Sequence, residues 1–188
     1  MSEVEYRAAT QVGVDYGKRL IDLIVMPYEE TTVVPYQGRL VEEVCHRGAF
    51  DGIETRANRV KVNRDHEVAR TVGKAVAFHP DHEAGLHAQV RIAPTDLGDE
   101  SLELAREEVL DVSAGFIPMP DGEHWEGRGR RHLTKVWLAH IALTPDPAYE
   151  GARVLSMRSR TGLEPAATPN LDEVRAWQLA QRYAALSH

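Results

Sequence analysis

The sequence predicts an α+β protein, mainly β: a small, mostly antiparallel β-barrel of roughly six or seven strands with peripheral helices. Three observations predict it. Short apolar segments, several alternating with period two, recur between turns rich in Gly, Pro and Asp. Helical periodicity is confined to three stretches that stand between strands or after them. The chain has 188 residues, 43% hydrophobic and 27% charged, which suffices for one domain with a real core. A sandwich would show the same strand spacing, so pattern alone leaves barrel and sandwich open.

Arg19 to Met26 (RLIDLIVM) is almost continuously apolar and reads as a strand covered on both faces, ended by Pro27. Glu29 to Gln37 reads as a turn-rich connection, and Gly38 to Cys45 as the next strand. Arg47 to Gly52 (RGAFDG) is a compact turn with Phe50 to bury. Val60 to Asn63 starts a short strand that runs into Arg64-Asp65-His66-Glu67. Thr71 to Phe78 and Gly85 to Ile92 form a pair, the second alternating Leu86, Ala88, Val90 and Ile92 against His87, Gln89 and Arg91. Asp99 caps a helix to about Leu110. That helix delivers the chain into Leu110-Asp111-Val112-Ser113-Ala114-Gly115-Phe116, a strand with its apolar residues on one face and Asp111, Ser113 and Gly115 on the other.

Gly115 leaves room for a second backbone to approach. Pro118 to Arg131 reads as a long loop, and His132 to Leu143 as one long strand with Val136, Leu138, His140 and Ala142 on a shared face. Ala148 to Arg158 reads as a helix and Arg160 to Pro169 as a linker. Asn170 and Glu173 have capping-box spacing at the start of a last helix. The expected division is a domain over 1–158, a linker over 159–170 and a C-terminal helix over 171–188.

A formal net charge of -7 argues against a dedicated nucleic-acid binder. The lone Cys45 cannot close an internal disulfide. No apolar run approaches the roughly 20 residues that span a bilayer, and the N-terminal residues lack a signal-peptide core. The expectation is a soluble protein of a reducing cytoplasm, with no membrane, no nucleic acid and no cofactor.

Three side chains invite chemistry. Ser113 has an apolar cradle behind it, but a serine hydroxyl is a poor nucleophile until a base takes its proton. His66 stands where a strand meets a polar turn. His140 lies in an apolar strand (WLAHIAL), where a polar group needs a partner. A hydroxyl, an imidazole to take its proton and a second group to orient that imidazole are what a serine hydrolase needs. By patterning alone, a strand serine is more often a small surface residue and a core histidine more often structural. His79, His82 and His87 raise a zinc site, but their spacing falls across a loop and no cysteine accompanies them.

The succession RLIDLIVMP, GRLVEEVCHRGAFDG, Asp65-His66 with Val72-Gly73, GLHAQVRI, Ser113-Ala114-Gly115-Phe116 and LAHIALTPDPAY resembles the tailed-phage prohead (procapsid maturation) proteases. These serine peptidases share the fold of the herpesvirus assemblins. The resemblance runs over about residues 15 to 158 in unbroken order. It implies Ser113 as nucleophile, His66 as general base and His140 as the third catalytic group. His140 stands where many phage members have a glutamate and matches the assemblin pattern, whose third group is a second histidine. Asn63-Arg64-Asp65-His66 also departs from the family's Asn-His-Asp.

The resemblance further implies an endopeptidase packaged inside the procapsid, in the host cytoplasm. It would cleave the scaffolding segment of the major capsid protein and cleave itself, within 159–170. A homodimer formed through helices is expected. The turn Thr144 to Tyr149, or else Arg128 to Arg131, is the candidate oxyanion hole. Two other readings stand beside this one: a non-catalytic scaffold or assembly protein that keeps the protease fold, and a metal-dependent hydrolase using the His79–His87 loop.

Overall fold

The structure, a computed structural model, describes residues 5–15 as backbone and residues 17–145 with their side chains. Eleven strands, one short 3₁₀ turn (Ile53–Arg56) and one α-helix are present among them. The strands are β1 (Glu5–Asp15), β2 (Leu20–Pro27), β3 (Thr31–Tyr36), β4 (Arg39–Cys45), β5 (Lys61–Arg64), β6 (Glu67–His79), β7 (Gly85–Ile92), β8 (Asp111–Pro118), β9 (Glu123–Glu126), β10 (Arg130–Leu133) and β11 (Val136–Thr144); the helix is α1 (Asp96–Arg106).

Seven strands close into a barrel in the order β1-β2-β7-β6-β5-β11-β8, and β3-β4-β10-β9 form a separate small sheet. The barrel is antiparallel except where β11 runs parallel to β5. It is therefore mainly β with a peripheral helix, as the strand pattern predicts. Its core comes from alternate residues of several strands: Leu86, Ala88, Val90 and Ile92 of β7, Val112, Ala114 and Phe116 of β8, and Leu138, Ile141 and Leu143 of β11. β2 is buried on both faces, in keeping with its unbroken apolar run. Phe50 is buried in the turn it was expected to anchor.

Several expectations need correction. Residues 5–15 form a barrel strand although the N-terminal sequence is polar. Residues 31–36, read as a connection, are β3 despite Pro35, which sits on an edge strand where proline is tolerated. The loop over 118–131 contains β9 and the start of β10, and the single strand expected over 132–143 is divided between β10 and β11. The helix is capped by Thr95, whose Oγ1 accepts a hydrogen bond from the Gly98 N–H at 3.1 Å. Asp99 instead pairs with Arg19 at 2.6 Å. The helix expected over 148–158, the linker over 159–170, the C-terminal helix over 171–188 and residues 146–149 of the candidate oxyanion turn lie outside the described residues.

The small sheet is held by a buried charge cluster. Arg131, fully buried, donates to Glu43 and to Glu123, both at 2.9 Å, and its guanidinium stands over the Tyr36 ring. Glu43 is 2% exposed, so removing the arginine takes the guanidinium away from a buried carboxylate. Arg131→Ala is expected to cost about 3–5 kcal/mol. Urea unfolding followed by circular dichroism measures this, and a change below 1 kcal/mol would contradict it.

Candidate active site

β5 and β6 are joined by a two-residue turn, Asp65-His66, with φ of +54° and +60°. Positive φ at both central positions is the geometry of tight hairpins whose twist matches the flanking strands, and Asp and His tolerate it better than most residues. The turn is tied down by the Asp65 N–H, which donates to the Leu143 carbonyl at 3.0 Å, and by an ion pair between Asp65 and Arg70. His66 is thereby set on a stiff bend at the end of the parallel β5–β11 pair.

His140 reaches this bend because of an irregularity in β11. Leu138 lies opposite Phe116 and His140 opposite Gly115, so Ala139 is an extra residue, a β-bulge. The bulge reverses the alternation. Leu138 points into the core, and so do Ile141 and Leu143; His140 and Ala142 face outward, with Gly115 and Ser113 across from them. The shared face expected for Val136, Leu138, His140 and Ala142 is therefore broken at Ala139.

Gly115 has a different purpose from the expected one. A Cβ there would lie 2.6 Å from His140 Nε2 and 2.9 Å from its Nδ1, so the glycine is the seat of the His140 ring. From this seat, His140 Nε2 lies 2.9 Å from His66 Nδ1, with the ring planes 70° apart. One of these nitrogens carries a proton and the other accepts it.

Burial holds both imidazoles toward the neutral form. For His66, burial and the neighbouring His140 lower the pKa to about 4, against a smaller opposing effect of Asp65. Burial lowers that of His140 as well.

Ser113 lies opposite Ala142, in the row next to Gly115 and His140. It is fully buried, and its Oγ has no hydrogen-bond partner among the described residues. An orphan buried hydroxyl costs about 1–3 kcal/mol and calls for a reason. The structure thus joins the two imidazoles directly and brings the hydroxyl to the same face of adjoining strands, without a hydrogen bond from Oγ to either ring. Contacts between nucleophile and base are often long before substrate arrives and tighten on binding.

Position 64, where the sequence departs from Asn-His-Asp, holds a buried arginine directed to α1. Its Nη1 donates to Ser101 Oγ at 3.3 Å and lies 3.5 Å from Glu100. Arg130 and Arg131 belong to the small sheet, where Glu42, Glu43 and Glu123 engage them. The rings of His79 and His82 each stand about one ring's width from His87, at centroid distances of 5.2 and 5.3 Å. His87 Nε2 faces Asp22 at 3.4 Å. Among the described residues no group of three His, Cys, Asp or Glu has a geometry that could hold a metal ion.

Sequence reasoning also missed a second imidazole pair. His46 Nε2 and His132 Nδ1 are 2.8 Å apart with the rings edge to edge, and Glu29 and Glu126 stand at their outer nitrogens at 2.9 and 3.5 Å. These residues are distant in sequence, and only the parallel β4–β10 pairing brings them together.

Residues 23–165 match the family described as caudovirus prohead serine protease. The fold is similar to the solved structure of the bacteriophage T4 capsid assembly protease, gp21, with a TM-score of 0.51 and 10% sequence identity over 78% of this chain and 97% of that one. No curated protein matches by sequence.

Proposed function

This chain belongs to the caudovirus prohead serine protease family, and on that premise we propose that it is the serine endopeptidase of capsid maturation, with Ser113 as nucleophile, His66 as general base and His140 as the group that orients the base. The observation that carries this reading is the 2.9 Å contact between His66 and His140 beside the orphan Ser113 hydroxyl.

In the proposed mechanism, His66 Nδ1 is held by His140, so Nε2 is the nitrogen that takes the Ser113 proton as Oγ attacks the scissile carbonyl. His66 then returns that proton to the leaving amine, and water repeats the cycle on the acyl-enzyme. His140 contributes as a neutral acceptor that fixes the tautomer, with less stabilisation of the imidazolium than a carboxylate gives. The substrate is proposed to be the scaffolding segment of the major capsid protein inside the procapsid. Self-cleavage within 159–170 and pairing of two copies through the segments 148–158 or 171–188 belong to the same reading.

Labelling with a fluorophosphonate, followed by peptide mapping, tests it: the adduct is expected on Ser113. The second reading, a non-catalytic assembly protein with the protease fold, is favoured by the burial of the hydroxyl and its lack of an imidazole partner. It predicts no adduct.

The imidazole pair also sets a pH profile. A base with a pKa of about 4 stays neutral through the mildly acidic range. The kcat/KM for cleavage is expected to be nearly flat from pH 7 down to about 5 and to fall toward 4. An acid limb near 6.5, the ordinary histidine value, would contradict the buried pair. The sign for stability follows from the same shift. Between 6.5 and 4 the unfolded chain binds the proton and the folded chain does not, so this contribution to stability shrinks as pH falls through that window.

A further inference from the structure

Outside the triad, the largest exposed apolar side chain on this face of the barrel is Trp137. It lies opposite Ile117 in the β8–β11 register, with Gly115 and His140 one row nearer the centre and Ser113 and Ala142 beyond them. Ile117, Gly115 and Ser113 alternate along β8 on the outward face, so Trp137 stands on the same face as the proposed nucleophile. Four residues of strand separate Ser113 from the Trp137–Ile117 row, about 13 Å.

A single exposed apolar residue is ordinary. This one is 45% exposed and yet clamped from one side. The Arg56 guanidinium lies 3.4 Å from the ring centroid, and Arg56 Nη1 donates to the Leu138 carbonyl at 3.1 Å, the residue after the tryptophan. Arg56 stands at the end of the 3₁₀ turn that follows buried Phe50, so the clamp is anchored in the core. A large aromatic surface fixed before its partner arrives loses little freedom on binding, which is what makes such residues anchors.

We propose that Trp137, with Ile117 beside it and Arg56 as its positioning residue, is a substrate subsite that takes an apolar side chain about four residues from the scissile bond. An extended peptide advances by about the same rise per residue as β8, so a chain with its scissile carbonyl at Ser113 brings its fourth residue over the indole. The occupant is the extended segment being cleaved, because the platform continues the face that carries Ser113 and His140. The proposal rests on the protease reading above.

The test uses the full-length protein, a fluorophosphonate too short to reach Trp137, and synthetic peptides spanning the processed capsid site. In one peptide series, the fourth residue on each side of the scissile bond is changed between Leu, Phe, Ser and Asp. Wild-type protein is expected to cleave Leu and Phe peptides about 10- to 100-fold faster in kcat/KM than Ser peptides on one side of the bond. Trp137→Ala is expected to label Ser113 at the wild-type rate and to lose that preference, and Trp137→Phe to keep most of it. The wild-type series needs no variant, so a misfolded Trp137→Ala leaves the proposal testable.

No preference at either position, or unchanged kcat/KM in a labelled Trp137→Ala, overturns the subsite alone. Unchanged kinetics with a shift from dimer to monomer on sizing overturns it too and assigns the platform to an interface between copies. Absence of labelling in the wild type overturns the protease reading, and the subsite with it.

Discussion

Ser113→Ala is expected to lower cleavage of the co-expressed capsid subunit by about 10⁴- to 10⁶-fold, the loss seen when the nucleophile of a serine hydrolase is removed. The same substitution is expected to leave the fold unchanged and to raise its stability. The hydroxyl is fully buried without a hydrogen-bond partner among the described residues, so deleting it removes an unpaid desolvation cost of about 1–3 kcal/mol and leaves no large cavity. A functional group kept against the interest of the fold has this signature of lost activity and gained stability. The measurements are the length of the capsid subunit on a gel and the urea midpoint of the purified variant. Continued shortening of the subunit excludes Ser113 from the mechanism. A marked fall in stability contradicts the orphan hydroxyl.

Gly115→Ala is expected to cut kcat/KM by about 10²- to 10⁴-fold, the range that positioned acid–base groups contribute. The new methyl carbon would overlap the His140 ring, so the imidazole must leave its seat and its contact with His66 breaks. Half-exposed His140 can swing outward, so most of the effect falls on activity and little on folding. Comparison with His140→Ala isolates the cause. If the glycine acts through the ring, the double variant is no slower than His140→Ala alone. Additive losses would place the effect of Gly115 elsewhere.

Much of the barrel was legible in the residues because burial writes directly into alternation. The β7 pattern of Leu86, Ala88, Val90 and Ile92 is a half-covered strand, and the structure buries those four. Strands that escaped notice carry their signal in pairing. β1 is polar in sequence, and β9 and β10 are short segments inside a glycine-rich stretch; β1 and β10 gain partners far along the chain, and β9 then pairs with the adjacent β10. Position 140 illustrates the same limit within one strand. Strict alternation sends its side chain to the core, and only the bulge at Ala139 turns it outward. A trace of that bulge was present in WLAHIAL, since the large apolar residues step from Leu138 to Ile141 by three and then to Leu143 by two. The seat at Gly115 had no such trace, because the ring that fills it belongs to another strand.

β11 enters the barrel between β5 and β8, both synthesised before it. Until residue 144 has left the ribosome the cylinder has a gap on that side. Closure therefore waits on a strand that must insert between two others at long sequence separation, which is a slow step for a β topology. A nascent or prematurely ended chain cannot bring residues 66 and 140 together. The order of the strands is itself a delay in closing the barrel.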